Sequence, residues 1–148
     1  MVIEKKPTPN YLYSIFTMKC PRCRTGDMFV NKSGYKNLSL KNIFAMPEKC
    51  AECGQRFDLE PGFWIGTSYV SYALTVALSV ATFVAWVVLV GVSIDPQKVH
   101  LIFWWLGLNI LLLIILQPWL MRISRVLYIR FFVKYDADYK NTEPTEFQ

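Results

Sequence analysis

The four cysteines of this chain form two pairs, Cys20-Pro21-Arg22-Cys23 and Cys50-Ala51-Glu52-Cys53, with none left over. Two C-x-x-C pairs have the ligand spacing of a four-cysteine zinc site. Each turn aims two thiolates at one ion, and two turns complete a tetrahedron. The 26 residues between Cys23 and Cys50 make the loop longer than the commonest gap, at small extra entropic cost. Gly26 and Gly54 follow the two pairs, where a positive φ would bring the chain round the ion. The chemistry this predicts is a closed structural site holding one zinc per chain. No His, Asp or Glu stands at the spacing an open fourth position would need, so no enzymatic activity is expected. A thioredoxin-like redox role lacks its βαβ context. Transient carriage of Cu(I), a soft ion suited to thiolates, is the other chemistry the set allows.

The elements around these turns divide between water and lipid. No charged residue occurs from Pro61 to Ile94 or from Val99 to Met121. Tyr69 to Val92 alone would span roughly 36 Å as a helix, more than the roughly 30 Å hydrocarbon core of a bilayer. Spans are expected at about 68–92 and 100–120. They are joined by a short linker carrying Asp95 and Pro96, which makes a helical hairpin. Ten Lys/Arg precede the first span and five follow the second, while the linker has only Lys98. That asymmetry predicts a multi-pass protein of a bacterial cytoplasmic (inner) membrane with both termini in the cytoplasm. The cysteines would then lie in a reducing compartment, which favours metal over disulfides. No cleavable leader is expected, because Tyr11 to Met18 runs straight into Lys19 and Cys20 without a small-residue cleavage site.

The fold class expected is a membrane protein. A small cytoplasmic β zinc ribbon would precede the transmembrane hairpin, and a C-terminal amphiphilic helix would follow it. Residues 1–10 read as a loose tail, 11–60 as the ribbon domain and 61–121 as the hairpin. Residues 122–135 read as a juxtamembrane helix and 136–148 as a disordered tail. In the ribbon, Tyr11 to Met18 reads as an approach strand. Ile15 to Lys19 with Met28 to Val30 reads as a hairpin, and Arg56 to Leu59 as an exit strand. Asn31 to Tyr35 is a turn region around Ser33-Gly34, and Ser39 is placed to cap a short helix from Leu40 to Met46.

Phe63, Trp64, Tyr69, Tyr72 and Trp119 form aromatic belts at the membrane surface, with Arg122 and Arg125 beyond the second span. Ser68, Ser71, Thr75, Ser79 and Thr82 recur at three- and four-residue steps along one face of the first span, as in small-residue helix packing. Asn109 in the second span falls level with Ser79 and Thr82, within reach of a cross-helix hydrogen bond. The absence of ionisable residues inside either span argues against proton or ion transport. His100 sits at the opposite membrane edge from the cysteines, too far to be a ligand. Ten basic against six acidic residues before the first span suit anionic lipid headgroups. No arginine-aromatic repeat is present, and no nucleic acid is expected.

Cys20 to Phe29 fits C-P-x-C-x-x-G-x-x-F, and Cys50 to Gly62 fits C-x-x-C-G-x-x-F-x-x-E-x-G. With two spans following, this resembles the bacterial family known as domain of unknown function 983. The Pro61-Gly62-Phe63-Trp64 linker, the Val70-Ser71-Tyr72-Ala73 start and the Phe132-Val133-Lys134-Tyr135-Asp136 end look like its Bacteroidetes branch. Ala51 departs from the proline often found there. The resemblance implies the architecture above and no established activity, with some relatives encoded beside respiratory-oxidase assembly factors. The function expected is a non-catalytic interaction or assembly factor at the cytoplasmic membrane face, with a protein partner or a second copy of itself. The alternatives are metal or thiol handling for a membrane complex, and an accessory subunit of a transporter.

Overall fold

The computed structural model describes residues 9–31, 35, 40–91 and 99–144 of the chain. Its elements are α1 (Tyr11–Phe16), α2 (Leu40–Ile43), a 3₁₀ turn (Phe63–Gly66), α3 (Thr67–Val90) and α4 (Val99–Phe132). Residues 1–8, the Ser33-Gly34 turn, the Ser39 cap, the 93–98 linker and the last residues of the tail lie outside the described residues.

The two long apolar runs form α3 and α4, and both are long and apolar enough to cross a membrane. α3 stops at Gly91, whose φ of +66° lets its amide turn back to the Val87 carbonyl at 3.0 Å. α4 is a single helix of 34 residues rather than a span followed by a separate juxtamembrane helix. At 1.5 Å per residue it is about 51 Å long, some 20 Å more than a bilayer core needs. The surplus is its C-terminal third. Pro118 lies inside the helix just before that third and donates no hydrogen bond to the preceding turn. Near that weak point the Ile115 carbonyl accepts a hydrogen bond from the Tyr35 hydroxyl at 2.9 Å.

α3 and α4 pack antiparallel, as their contacts show. Trp86 Nε1 donates to the Leu101 carbonyl, Phe83 meets Trp105 edge-on at 4.9 Å, and Ser71 donates to Ser124. Asn109 sits between them and is buried. Thr82 Oγ1 donates to Asn109 Oδ1 at 3.1 Å, and Asn109 Nδ2 donates to Ser79 Oγ at 3.3 Å. A buried amide is thereby satisfied on both its ends, as a low-dielectric site requires.

The cysteine-bearing segment differs from a β ribbon. The described residues contain no strand. They contain two single antiparallel bridges, Lys19–Asp27 and Lys49–Arg56, one beside each cysteine turn. Met28 N and Phe57 N each close one of these bridges, donating to Met18 O and Glu48 O, and the side chains of Met28, Phe29 and Phe57 enter one core with the four cysteines. That core is completed by Val126, Ile129 and Val133. The first two lie on one face of α4 and Val133 directly follows it, at the three- and four-residue spacing of a helix stripe. Burial of each such side chain is worth up to about 1.5–3 kcal/mol. A helix does here what a sheet was expected to do.

The expected approach strand is helix α1. Its end has the two bonds of a Schellman turn, Lys19 N to Ser14 O at 2.8 Å and Met18 N to Ile15 O at 3.0 Å, with Met18 at φ +55°. Methionine in place of the usual glycine at that position hides the helix end in the sequence. Arg130 of α4 clamps the same end, donating to Ser14 Oγ and to the Lys19 carbonyl. α2 is one turn long, shorter than expected. Arg122 takes its Ile43 carbonyl at 3.0 Å, and the Ala45 carbonyl turns away to accept from the Val30 amide. Residues 136–144, expected to be disordered, carry a turn over 137–141 that packs on the cysteine core through Tyr139.

Candidate metal centre

The two cysteine turns are built alike. Arg24 N donates to Cys20 O and Gly54 N to Cys50 O, both at 2.9 Å. The residue after each pair is left-handed, Gly54 at φ +70° and Arg24 at φ +58°. A left-handed non-glycine residue costs roughly 1–2 kcal/mol. Arg24 is held there by its side chain, which donates to the Pro9 carbonyl and lies over the rings of Tyr135 at 4.1 Å and Tyr11 at 5.3 Å. Gly26 has a different use from the one expected. It is not among the positive-φ residues, but a Cβ on it would collide with Cys50 Sγ. The glycine gives the second pair's sulfur its place beside the first turn. Gly26 N also points at Cys23 Sγ at 3.4 Å.

All four thiols are free, and their sulfurs lie within 4.8 Å of one another. Cys20 and Cys53 are 3.7 Å apart at sulfur, and Cys23 and Cys50 3.8 Å. A tetrahedral ion with metal–sulfur bonds of about 2.3 Å needs sulfur–sulfur edges of about 3.8 Å. The donor set therefore fits a tetrahedral ion, and the cluster can hold one metal. Exposure runs from 0 % at Cys20 through 2 % at Cys23 and 3 % at Cys50 to 9 % at Cys53. The sulfurs also set one another's protonation. Cys20 is pushed up by Cys23, Cys50 and Cys53 and then by burial, while Cys23 is pushed down by Cys20, Cys50 and Cys53. Cys50 is lowered to about 7, first by Cys20. A cation at the centre would let every sulfur ionise.

Four thiolates around a divalent ion carry a net negative charge, and a buried cation stands behind them. Arg22 is 2 % exposed. Its Nη1 donates to the Cys53 carbonyl at 3.2 Å. Its Nη2 reaches the Thr142 carbonyl and hydroxyl at 2.7 Å, the Glu143 carbonyl at 2.8 Å and Asp136 at 3.4 Å. Asp136 N returns a bond to the Arg22 carbonyl. One residue inside the first C-x-x-C turn thus ties the second turn to the C-terminal turn. The Thr142 hydroxyl, and after it the Asp138 amide and Arg22, hold the Asp136 carboxyl below its usual range despite slight desolvation. Nothing in the sequence links Arg22 to Thr142.

The other expected residues separate into groups. Ser71, Thr75, Ser79, Thr82 and Asn109 lie partly or fully buried along the α3–α4 contact, while Ser68 is exposed and bonded to its own Ile65 carbonyl. Tyr69 and Tyr72 are exposed. Phe63 is half-buried, packed against Trp64, Tyr128 and Phe132. Gly66 lets this turn approach, since a Cβ there would strike the Tyr128 ring. Trp119 stacks on Phe16 at 6.2 Å.

Arg122 and Arg125 are not presented to lipid headgroups. Arg122 is fully buried, donating to Ile43 O and Asn31 O over the Phe29 ring. Arg125 donates to Met46 Sδ between Phe44 and Trp64. Both hold the cysteine module on α4, which explains why the charges of this segment show no single solvated face in sequence. His100 is exposed in the first turn of α4, about 33 Å along the helix from Arg122.

A family model described as "Protein of unknown function (DUF983)" matches residues 40–123. The matched stretch holds Cys50, Cys53 and both apolar runs, and the Cys20–Cys23 pair lies ahead of it. No curated protein and no solved structure matches.

Proposed function

The chain belongs to the DUF983 family of proteins of unknown function, and from that premise we propose that it is a non-catalytic interaction or assembly factor of a bacterial inner membrane. Its cysteine module holds one structural zinc on the cytoplasmic side. The observation that carries this reading is the shared core. All four cysteines are buried among Ile15, Met28, Phe29 and Phe57 and against Val126, Ile129 and Val133 at the end of the longer apolar helix. An ion held there welds the module to the helix and leaves no open coordination position, as in structural rather than catalytic sites. What the module offers a partner is then a rigid surface fixed relative to the end of the longer apolar helix. Both termini lie in the cytoplasm by the Lys/Arg bias.

The experiment is co-purification from membranes in mild detergent, comparing the chain with its Cys50→Ser variant. A protein partner retained by the parent and lost by the variant, with both chains inserted, supports the docking role. Equal recovery of every associated protein contradicts it. A second reading, transient handling of a soft metal for a membrane complex, draws on Cys53, the most exposed of the four sulfur-bearing residues. Exchange of the bound ion with a small copper chelate under non-denaturing conditions would favour it.

A further inference from the structure

α1 leaves an apolar stripe uncovered. Leu12 is 66 %, Tyr13 63 % and Phe16 60 % exposed. At about 100° per residue these three fall within an arc of roughly 100°, opposite the buried Ser14. Three adjacent large apolar side chains on so small a module are more than scattered exposure. Val30, beside the first cysteine turn, adds a fourth at 65 %.

The stripe is continuous with the apolar surface of α4. Phe16 stacks on Trp119, three residues before the first charged residue after the apolar run, Arg122. Tyr35 reaches one helical turn deeper, to the Ile115 carbonyl, so the chain between the two cysteine pairs also touches the apolar run. Stripe and run therefore meet at the level where an aromatic belt marks the edge of a bilayer.

We infer that the exposed face of α1, Leu12, Tyr13 and Phe16, is a membrane-contact surface that sinks into the boundary between headgroups and acyl chains. It would hold the cysteine module half in the interface rather than above it. The inference rests on the reading of α3 and α4 as membrane spans. Its physics is that of an interfacial helix: apolar side chains on one face enter the acyl boundary while the opposite face stays on the protein. Here the opposite face is fixed by Arg130, which bonds Ser14 and Lys19, so little further ordering is required on contact with lipid.

The test uses the full metal-loaded chain in phosphatidylcholine–phosphatidylglycerol vesicles. A fluorescent non-natural residue is placed singly at Leu12, at Val84 on the exposed side of α3, or at Glu52 in the second cysteine turn. Lipids carrying a quencher near the headgroup or deep in the acyl chain are compared with aqueous iodide. The expected result is shallow-lipid quenching at position 12, deep-lipid quenching at 84 and iodide quenching at 52. Iodide quenching at position 12, with 84 still quenched by deep lipid, would overturn the inference and leave the spans standing. Shielding of position 12 from both quenchers that disappears on diluting protein in lipid would also overturn it, in favour of a second copy on that face. Loss of lipid quenching at 84 would instead defeat the span reading itself. Phe16→Ser, which leaves the cysteine ligands and Arg130 in place, should shift position 12 toward iodide.

Discussion

The Arg22 guanidinium donates to the Thr142 carbonyl at 2.7 Å across 120 residues of sequence. Its other terminal nitrogen holds Cys53. Arg22→Lys keeps the charge but loses the planar fork that serves both sides at once. The buried Cys53 carbonyl left without a donor costs roughly 1–3 kcal/mol, while the Thr142 and Glu143 carbonyls can turn to water. Amide exchange over residues 136–143 should rise in the variant while α3 and α4 stay protected. Unchanged protection of that turn would show that Tyr139 packing alone holds it.

Asp136 supplies the charged part of the same clasp. Its carboxyl is lowered in the folded chain, first by the Thr142 hydroxyl. A lowered folded value means the contribution is fully present above the unfolded value of 3.8 and is lost as the pH falls through the folded one. The clasp should thus be insensitive to pH from neutrality down to about 4, near the usual aspartate value. Asp136→Asn should loosen residues 137–143 at neutral pH, read by the same exchange experiment. A turn in Asp136→Asn as protected as the parent's at pH 7 would contradict the assignment.

Gly26 and Gly54 occupy different physical situations and should rank accordingly. Alanine at Gly54 meets no backbone or core atom and pays only for φ +70°, roughly 1–2 kcal/mol. Alanine at Gly26 must displace the Cys50 sulfur. The chain with Gly26→Ala should lose metal to a competing chelator well before the chain with Gly54→Ala. The reverse order would mean that backbone conformation, not sulfur position, limits the site.

Asn109→Leu removes the bonds to Ser79 and Thr82. Polar contacts between membrane helices average about 0.6 kcal/mol, and the expected loss is on the order of 1 kcal/mol. Unfolding of the hairpin in detergent measures it, with metal content unchanged. A loss several times larger would require a further role for the amide, such as contact with a partner helix.

These contacts divide into those that the amino-acid order announces and those it conceals. Cysteine spacing places two sulfurs together in each C-x-x-C turn because such a turn is a local object, and the duplicated pair announces one shared ion. The charge-free runs announce α3 and α4 by length alone, and Asn109 falls level with Ser79 and Thr82 by counting residues along two rigid rods. The remainder depends on tertiary contacts. The aromatic and β-branched content around Tyr11 to Met18 reads as strand, yet Arg130 and the buried Ser14 and Ile15 make it a helix. The ribbon strands reduce to two bridges because α4 provides the core they would have had to form. Arg122 and Arg125 read as interfacial charges until the module they hold is seen. The Arg22–Thr142 link joins chain ends that no local pattern relates.

The central claim is a metal ion welded into a core shared by the cysteine turns and α4. X-ray absorption at the metal edge, with metal counting, on chain extracted from membranes under reducing conditions tests it most directly. The account predicts one zinc per chain with four sulfur neighbours at about 2.3 Å and no nitrogen or oxygen in the shell. Copper in stoichiometric amount, fewer than four sulfurs, or no bound metal in chain that still keeps α1 and α4 together would contradict it.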